Sequence, residues 1–167
     1  MPAKSSASRN GSLSRDNPVR LEDFAGHLLR CASNIASATY YQVVGATDIT
    51  PRQFAVLLSL KNHGPQSQRQ LCDRTRIDSS TLNEMVPRMI RRGLVARRRS
   101  KTDRRAIELS LSEEGRQQLA SLLSGTIESQ ELVLSVLPRE YRKILMHCLQ
   151  TIIEANKESI LANKPVE

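Results

Sequence analysis

SQRQLCDRTRIDSSTLNEMVPRMIRRGLVARRRSKTDRRAIELSLSEEG, residues Ser67 to Gly115, carries the punctuation of two short helices, a basic hairpin and the start of a third helix. Ser67 and Gln70 have the spacing of a capping box, in which each side chain bonds the other residue's backbone N–H. The box predicts a short helix to about Thr75. Asp78 then stands where a second N-cap belongs, opening a helix that reaches Arg92 and stops at Gly93. Leu94–Arg99 and Ala106–Leu111 read as paired strands, since Ile107, Leu109 and Leu111 alternate with Glu108 and Ser110. The polar loop Ser100–Arg105 joins them. Ser112, with Glu113 and Glu114 in a first turn, opens a long helix to about Leu137.

Within this stretch, Arg88–Arg105 holds nine of the 25 basic residues of the chain and one of its 17 acids. Its net charge equals the +8 of the whole 167-residue chain, so the remainder is neutral. Concentrated charge of this kind offers a place for a polyanion. A solvated charged face is the alternative. The helix–turn–helix pattern before the run, and the apolar alternation around it, favour nucleic acid. Two Phe, three Tyr and no Trp argue against base stacking, so duplex DNA is the better polyanion. An α-helix fits the major groove, and a basic hairpin tip can reach the neighbouring minor groove.

The flanking sequence supplies helices. Residues 1–17 read as a flexible tail, rich in Ser and small residues. Leu21, Phe24, Ala25, Leu28, Ala32, Ile35, Ala36 and Thr39 follow a helical stripe from about Leu21 to Val44, with Gly45 as its stop. Thr50-Pro51-Arg52-Gln53 is a further capping box with Pro at the first helical position, and His63-Gly64-Pro65 ends that helix. Pro138 begins a last helix whose apolar face is Tyr141, Ile144, Leu145, Cys148, Leu149, Ile152 and Ile153. The expected fold is mainly α with a small β-hairpin wing. A winged helix–turn–helix DNA-binding lobe spans 49–111, and a helical dimerisation region spans 18–48 and 112–162. Cys31, Cys72 and Cys148 are odd in number and far apart, which indicates neither a disulfide framework nor a zinc site and fits a reducing cytoplasm. Cys72 and Cys148 fall on apolar faces and are expected to be buried. No stretch approaches the roughly 18 apolar residues of a membrane span, and no signal-peptide core is present.

Three segments, ITPRQFAVLLSL, SQRQLCDRTRIDSSTLNEMV and RRGLVARRRSKTDRRAIELSLSEEG, resemble the MarR family of bacterial transcription regulators. The likeness covers Ile49 to Leu119. Its most specific element is the wing's Asp-x-Arg before a Leu-Ser strand end, here Asp103-Arg104-Arg105. The resemblance implies an obligate homodimer with interleaved outer helices and a wing on each side. It also implies a small effector, often an aromatic acid or a related compound, bound between the dimerisation helices and the DNA-binding lobe.

On that basis Ser79, Ser80, Thr81 and Asn83 are candidates for base edges or nearby phosphates, the alternative being that they cap the helix. Arg88 is a candidate phosphate contact. Gln66, Ser67 and Gln68 begin the preceding helix, whose N-terminal N–H groups can hold a phosphate. In the wing, Arg104 is the minor-groove candidate, with Arg99, Lys101, Asp103 and Arg105 around it. Asp103 and Arg105 instead brace the wing if they pair with each other. Arg97, Arg98 and Arg99 alternate across a strand, so all three cannot face DNA equally. Pro87 departs from the family pattern. It removes the donor for the Asn83 carbonyl and predicts a kink or an early helix end.

His27, Arg30 and Asn34 share one face of the first helix, and Tyr40 and Tyr41 lie nearer its end. They are candidate effector contacts, Arg30 for a carboxylate or phosphate. The alternative makes His27 and Arg30 surface or dimer contacts. An acyl-CoA thioester is a second effector class. Cys31, beside Arg30, is the candidate for a competing redox switch. The leading function is a ligand-responsive repressor that binds a pseudo-palindromic operator as a homodimer. The competitors are a cysteine-based redox-sensing repressor and a non-specific architectural DNA-binding protein. No metal cluster, Gly-rich phosphate loop or nucleophile–base motif supports an enzyme, and no cofactor is expected.

Overall fold

The computed structural model describes residues 19–99 and 107–156. A 3-10 turn at Leu21–Asp23 is followed by α1 (Ala25–Val44), α2 (Pro51–His63), α3 (Gln68–Thr75) and α4 (Ser79–Arg91). Then come β1 (Val95–Arg99), β2 (Ile107–Leu111), α5 (Glu113–Ser135) and α6 (Arg139–Ala155). Two compact units divide the chain, Met1–Ile35 and Ala36–Glu167.

In the first unit, the helix expected from Leu21 begins at Ala25. Asp23 accepts the Arg20 backbone N–H at 3.1 Å, closing a separate turn, and Phe24 is extended at φ −99°. A local hydrogen bond thus competes with helix propagation and wins.

The second unit holds the winged helix–turn–helix. Its helices start where side chains satisfy the orphan N–H groups. Thr50 Oγ1 accepts from Gln53 N at 3.2 Å and Gln53 Oε1 from Thr50 N at 3.0 Å. Ser67 and Gln70 repeat the reciprocal pair at 3.2 and 2.8 Å. Leu57 and Leu60 of α2, Leu71 of α3, Leu82, Val86 and Met89 of α4, Leu109 of β2 and Leu119 of α5 meet in one core. α4 does not end early at Pro87. Met85, Val86 and Met89, on both sides of the proline, are buried, and this packing outweighs the lost backbone bond. Gly93 then turns the chain with φ 70°, a left-handed conformation that favours glycine.

β1 and β2 pair antiparallel with Val95 opposite Leu111, Arg97 opposite Leu109 and Arg99 opposite Ile107. Gln66 adds a bridge on the other side of β2. Its N–H donates to Leu109 O at 2.9 Å and its carbonyl accepts from Leu109 N at 2.7 Å. The wing is therefore tied to the approach to α3 as well as to α4. Among the described residues α6 buries no side chain, and Ile144, Leu145, Ile152 and Ile153 of its apolar face are exposed. Cys72 is buried as its apolar position implies. Cys148 is exposed, because nothing among the described residues covers that face of α6.

Candidate nucleic-acid interface

The first turns of α4 are organised by Asp78. Its Oδ1 accepts from Thr81 N at 2.8 Å and from the Ser80 hydroxyl, and its Oδ2 accepts from Thr81 Oγ1 at 2.7 Å. These bonds, that of Ser80 first, hold the Asp78 carboxyl well below the usual carboxylate range. Ser80 and Thr81 thus spend their hydroxyl protons on the cap and keep only acceptor lone pairs for other partners. Ser79, Ser80 and Asn83 are exposed and Thr81 is half-buried. Gln68 Nε2 donates to Asn83 Oδ1 at 2.7 Å, joining the first position of α3 to the exposed face of α4. Ser67 holds its own helix start. Arg88 is exposed one turn beyond Glu84, which is also exposed.

Gln66 lies inside the lobe. It is 2% exposed, and its amide nitrogen donates to Ser59 O at 2.9 Å and Gly64 O at 3.3 Å, while its oxygen accepts from Ser59 Oγ. Its side chain ties it to the end of α2 while its backbone holds β2 of the wing, and the side chain does not reach the exposed face. The period of two in β1 separates the arginines as anticipated. Arg98 lies across from Glu108, with Nε 3.7 Å from its carboxylate, whereas Arg97 and Arg99 belong to the other face. Arg92 points back to the loop before α2, donating to Asp48 O at 2.7 Å. Arg88, Arg91, Arg97 and Arg99 are exposed and make no ion pair among the described residues. Lys101, Asp103, Arg104 and Arg105 lie outside the described residues, as do residues 1–17.

The effector candidates fall in both units. In the first, Arg30 Nη2 is 2.8 Å from His27 Nδ1, and His27 Nε2 is 3.5 Å from the half-buried Cys31 Sγ. Asn34 is exposed. In the second, Tyr40 is 4% exposed and its hydroxyl donates to Ile49 O at 3.0 Å. Burial, then the neighbouring Tyr41, pushes the Tyr40 phenol upward. The Tyr41 ring packs edge-on at 5.3 Å and is exposed. Sequence spacing did not show that Arg76, in the helix–turn–helix turn, is left-handed at φ 56° and bonds Glu154 of α6 at 3.1 Å.

The family model described as MarR matches residues 47–106, spanning α2 to the wing. The organic hydroperoxide resistance transcriptional regulator of Bacillus subtilis (strain 168) is 32% identical over 138 residues, 81% of this chain and 91% of its own. The chain belongs to the MarR family. BpsR of Bordetella bronchiseptica, whose DNA binding is regulated by 6-hydroxynicotinic acid, superposes with a TM-score of 0.76 at 25% identity, covering 81% of this chain and 97% of that one. The transcriptional repressor CouR, solved on a 23-mer DNA duplex, gives a TM-score of 0.71 at 28% identity, covering 79% and 94%. CouR is also known bound to p-coumaroyl-CoA, with a TM-score of 0.71, 27% identity, and coverage of 79% and 93%. This MarR-type chain is a DNA-binding transcriptional repressor, and α3, α4 and the hairpin are its helix–turn–helix and wing. No helix among the described residues is long and apolar enough to cross a membrane.

Proposed function

We propose that this repressor binds a pseudo-palindromic operator as a homodimer and releases it when a small aromatic acid or its CoA thioester binds. The observation that carries the reading is the exposed polar face of α4, Ser79 to Arg88, beside a hairpin that takes part in the Arg88–Arg105 charge run. Ser67 and Gln68 contribute through the N-terminus of α3, where backbone N–H groups can hold a phosphate. Ser79, Ser80, Thr81, Asn83 and Arg88 supply the contacts of α4, and Arg99, Lys101, Asp103, Arg104 and Arg105 those of the wing. Residues 49–111 act as the DNA-binding lobe, with 18–48 and 112–162 as the dimerisation region, in the cytoplasm. The effector class is supported by BpsR and CouR, which take such compounds. The candidate contacts for it are His27, Arg30, Asn34, Tyr40 and Tyr41. Footprinting on the promoter region of its own gene, followed by gel shift with aromatic acids and thioesters, tests both halves. An inverted repeat released by one compound supports them. Equal affinity for every duplex replaces them with an architectural role.

The contact of Cys31 with His27 favours a second reading, a redox switch. The Cys31 thiol attacks an organic hydroperoxide, the O–O bond breaks, and a sulfenic acid and an alcohol result. Arg30 can only donate, so the neutral ring keeps its proton on Nε2, facing the sulfur. Release by hydroperoxide alone, abolished in Cys31→Ser, establishes this reading in place of the first.

A further inference from the structure

Gln68 and Asn83 form a side-chain hydrogen bond at 2.7 Å between the two helices of the helix–turn–helix. The bond engages one lone pair of Asn83 Oδ1. A second lone pair and both Nδ2 protons remain. Because a donor faces Oδ1, turning the Asn83 amide over alone would set two N–H groups against each other. If both amides turned over together, the edge left on Asn83 would still hold one acceptor and one donor. The pair therefore fixes an amide edge on the exposed side of α4. The neighbouring Ser80 and Thr81 hydroxyls do not offer such an edge, since their protons go to Asp78.

In the major groove adenine shows an acceptor, N7, beside a donor, the N6 amino group. Guanine shows two acceptors, cytosine one donor, and thymine one acceptor and a methyl group. Only adenine matches an acceptor–donor edge in both places. Resting on the DNA-binding reading above, we propose that Asn83 reads one adenine in each half-site by a bidentate pair. Gln68 is its positioning residue, touching the amide and not the base. Gln68 pre-orders the amide before DNA arrives, so part of the ordering cost is met within the free protein.

The test is a set of duplexes in which each base pair of the half-site is replaced in turn. Dissociation constants are measured at one fixed salt concentration for the wild type, Asn83→Ala and Gln68→Met, with melting temperatures to verify folding. The wild type is expected to prefer adenine at one position by about five- to 150-fold. Asn83→Ala loses that preference and no other. Gln68→Met reduces the same preference by about threefold or more and leaves the base preferences at the other positions of the half-site in place. A uniform loss over all sequences, random duplex included, makes these side chains phosphate contacts and overturns the proposal. So does a base other than adenine at the Asn83-dependent position. Failure of the wild type to separate any operator from random duplex overturns the sequence-reading function itself, which distinguishes the two failures.

Discussion

Gly115 lies so close to the carbonyl oxygen of Leu94 that a Cβ at position 115 would overlap it, and would also stand 2.9 Å from Leu111 Cδ1. The same carbonyl accepts the Ser112 N–H at 3.2 Å, and Ser112 Oγ accepts from Gly115 N at 2.9 Å. α5 thus starts directly on backbone at the foot of the wing. Backbone cannot rotate aside as a flexible side chain can, so Gly115→Ala should destabilise the protein by about 1–3 kcal/mol. Gly26 meets nothing within 4 Å, and Gly26→Ala should be neutral or stabilising by up to about 1 kcal/mol. Urea denaturation of the two variants checks the contrast. Equal stability would show that the junction is not close-packed.

Asp78 gives a pH-dependent prediction. Its carboxyl is depressed by bonds from Ser80 and Thr81 that exist in the folded helix. A group whose folded pKa lies below its unfolded value contributes fully above the unfolded value, about 4 for Asp, and loses its contribution as pH falls through the folded value. Asp78→Ala should cost about 1 kcal/mol at neutral pH, the usual worth of an N-cap. Asp78→Asn retains an acceptor, and its stability should fall less between pH 5 and pH 2 than that of the wild type. Denaturation midpoints across that range decide it, and parallel curves for wild type and Asp78→Asn would contradict the assignment.

The elements legible from sequence were those decided within four residues. Thr50 with Gln53, Ser67 with Gln70, and Asp78 with Thr81 place three helix starts by local bonds that spacing alone reveals. The alternation of Ile107, Leu109 and Leu111 marked the second strand, and its pairing with Val95–Arg99 is found as expected. What spacing could not show depended on distant chain. Gln66 is drawn inward by Leu109, 43 positions away, and Tyr40 by the Ile49 carbonyl across a turn. Of the two outcomes expected at Pro87, the early end does not occur, because propensity counts one lost bond and not the core residues on either side of it. Burial was expected of Cys148 because an apolar face implies a cover, which the described residues do not supply.

The DNA contacts separate by type. Arg88 on α4 and Arg104 in the wing are expected to hold phosphate and minor groove respectively. A dimer that neutralises on the order of six to ten phosphates should lose affinity steeply with salt. Arg88→Ala should weaken all sequences similarly and reduce the salt slope by about one per contact removed. Arg104→Ala should weaken the operator most where its flanks are A·T-rich and narrow. Binding titrations at several salt concentrations check both. Unchanged affinity in a folded, dimeric Arg104→Ala would remove that residue from the site.

The association state follows from α6. Ile144 is 54% exposed and Ile152 48% in the single chain, on a helix that buries nothing among the described residues. Apolar side chains left in one stripe need a cover. In the homodimer proposed above, a two-fold partner would supply one and would set two recognition helices for successive major grooves. Sedimentation of the free protein should show a dimer at micromolar concentration, and the double substitution Ile144→Asp, Ile152→Asp should yield monomer or loss of folding. A folded wild-type monomer at that concentration would refute the dimer.

Arg30 tests whether the proposed effector is an anion. Its guanidinium lies 2.8 Å from the neutral acceptor Nδ1 of His27, a weaker partner than a carboxylate or phosphate. An entering acid can take that guanidinium without leaving a charge unpaired, freeing only a ring nitrogen that water can satisfy. To release DNA, the compound must bind the DNA-incompetent form better, each 1.4 kcal/mol of difference giving about tenfold in operator affinity. Arg30→Ala should therefore bind the operator as the wild type does and need about tenfold more acid or thioester for release. Arg30→Lys should recover part of the loss, since it keeps the charge without the planar fork. A gel-shift titration with the compound found active on the wild type measures all three proteins. An unchanged release point in Arg30→Ala would move the anion site elsewhere. Weakened operator binding in the same variant, before any compound is added, would instead make Arg30 part of the DNA-binding or dimer framework.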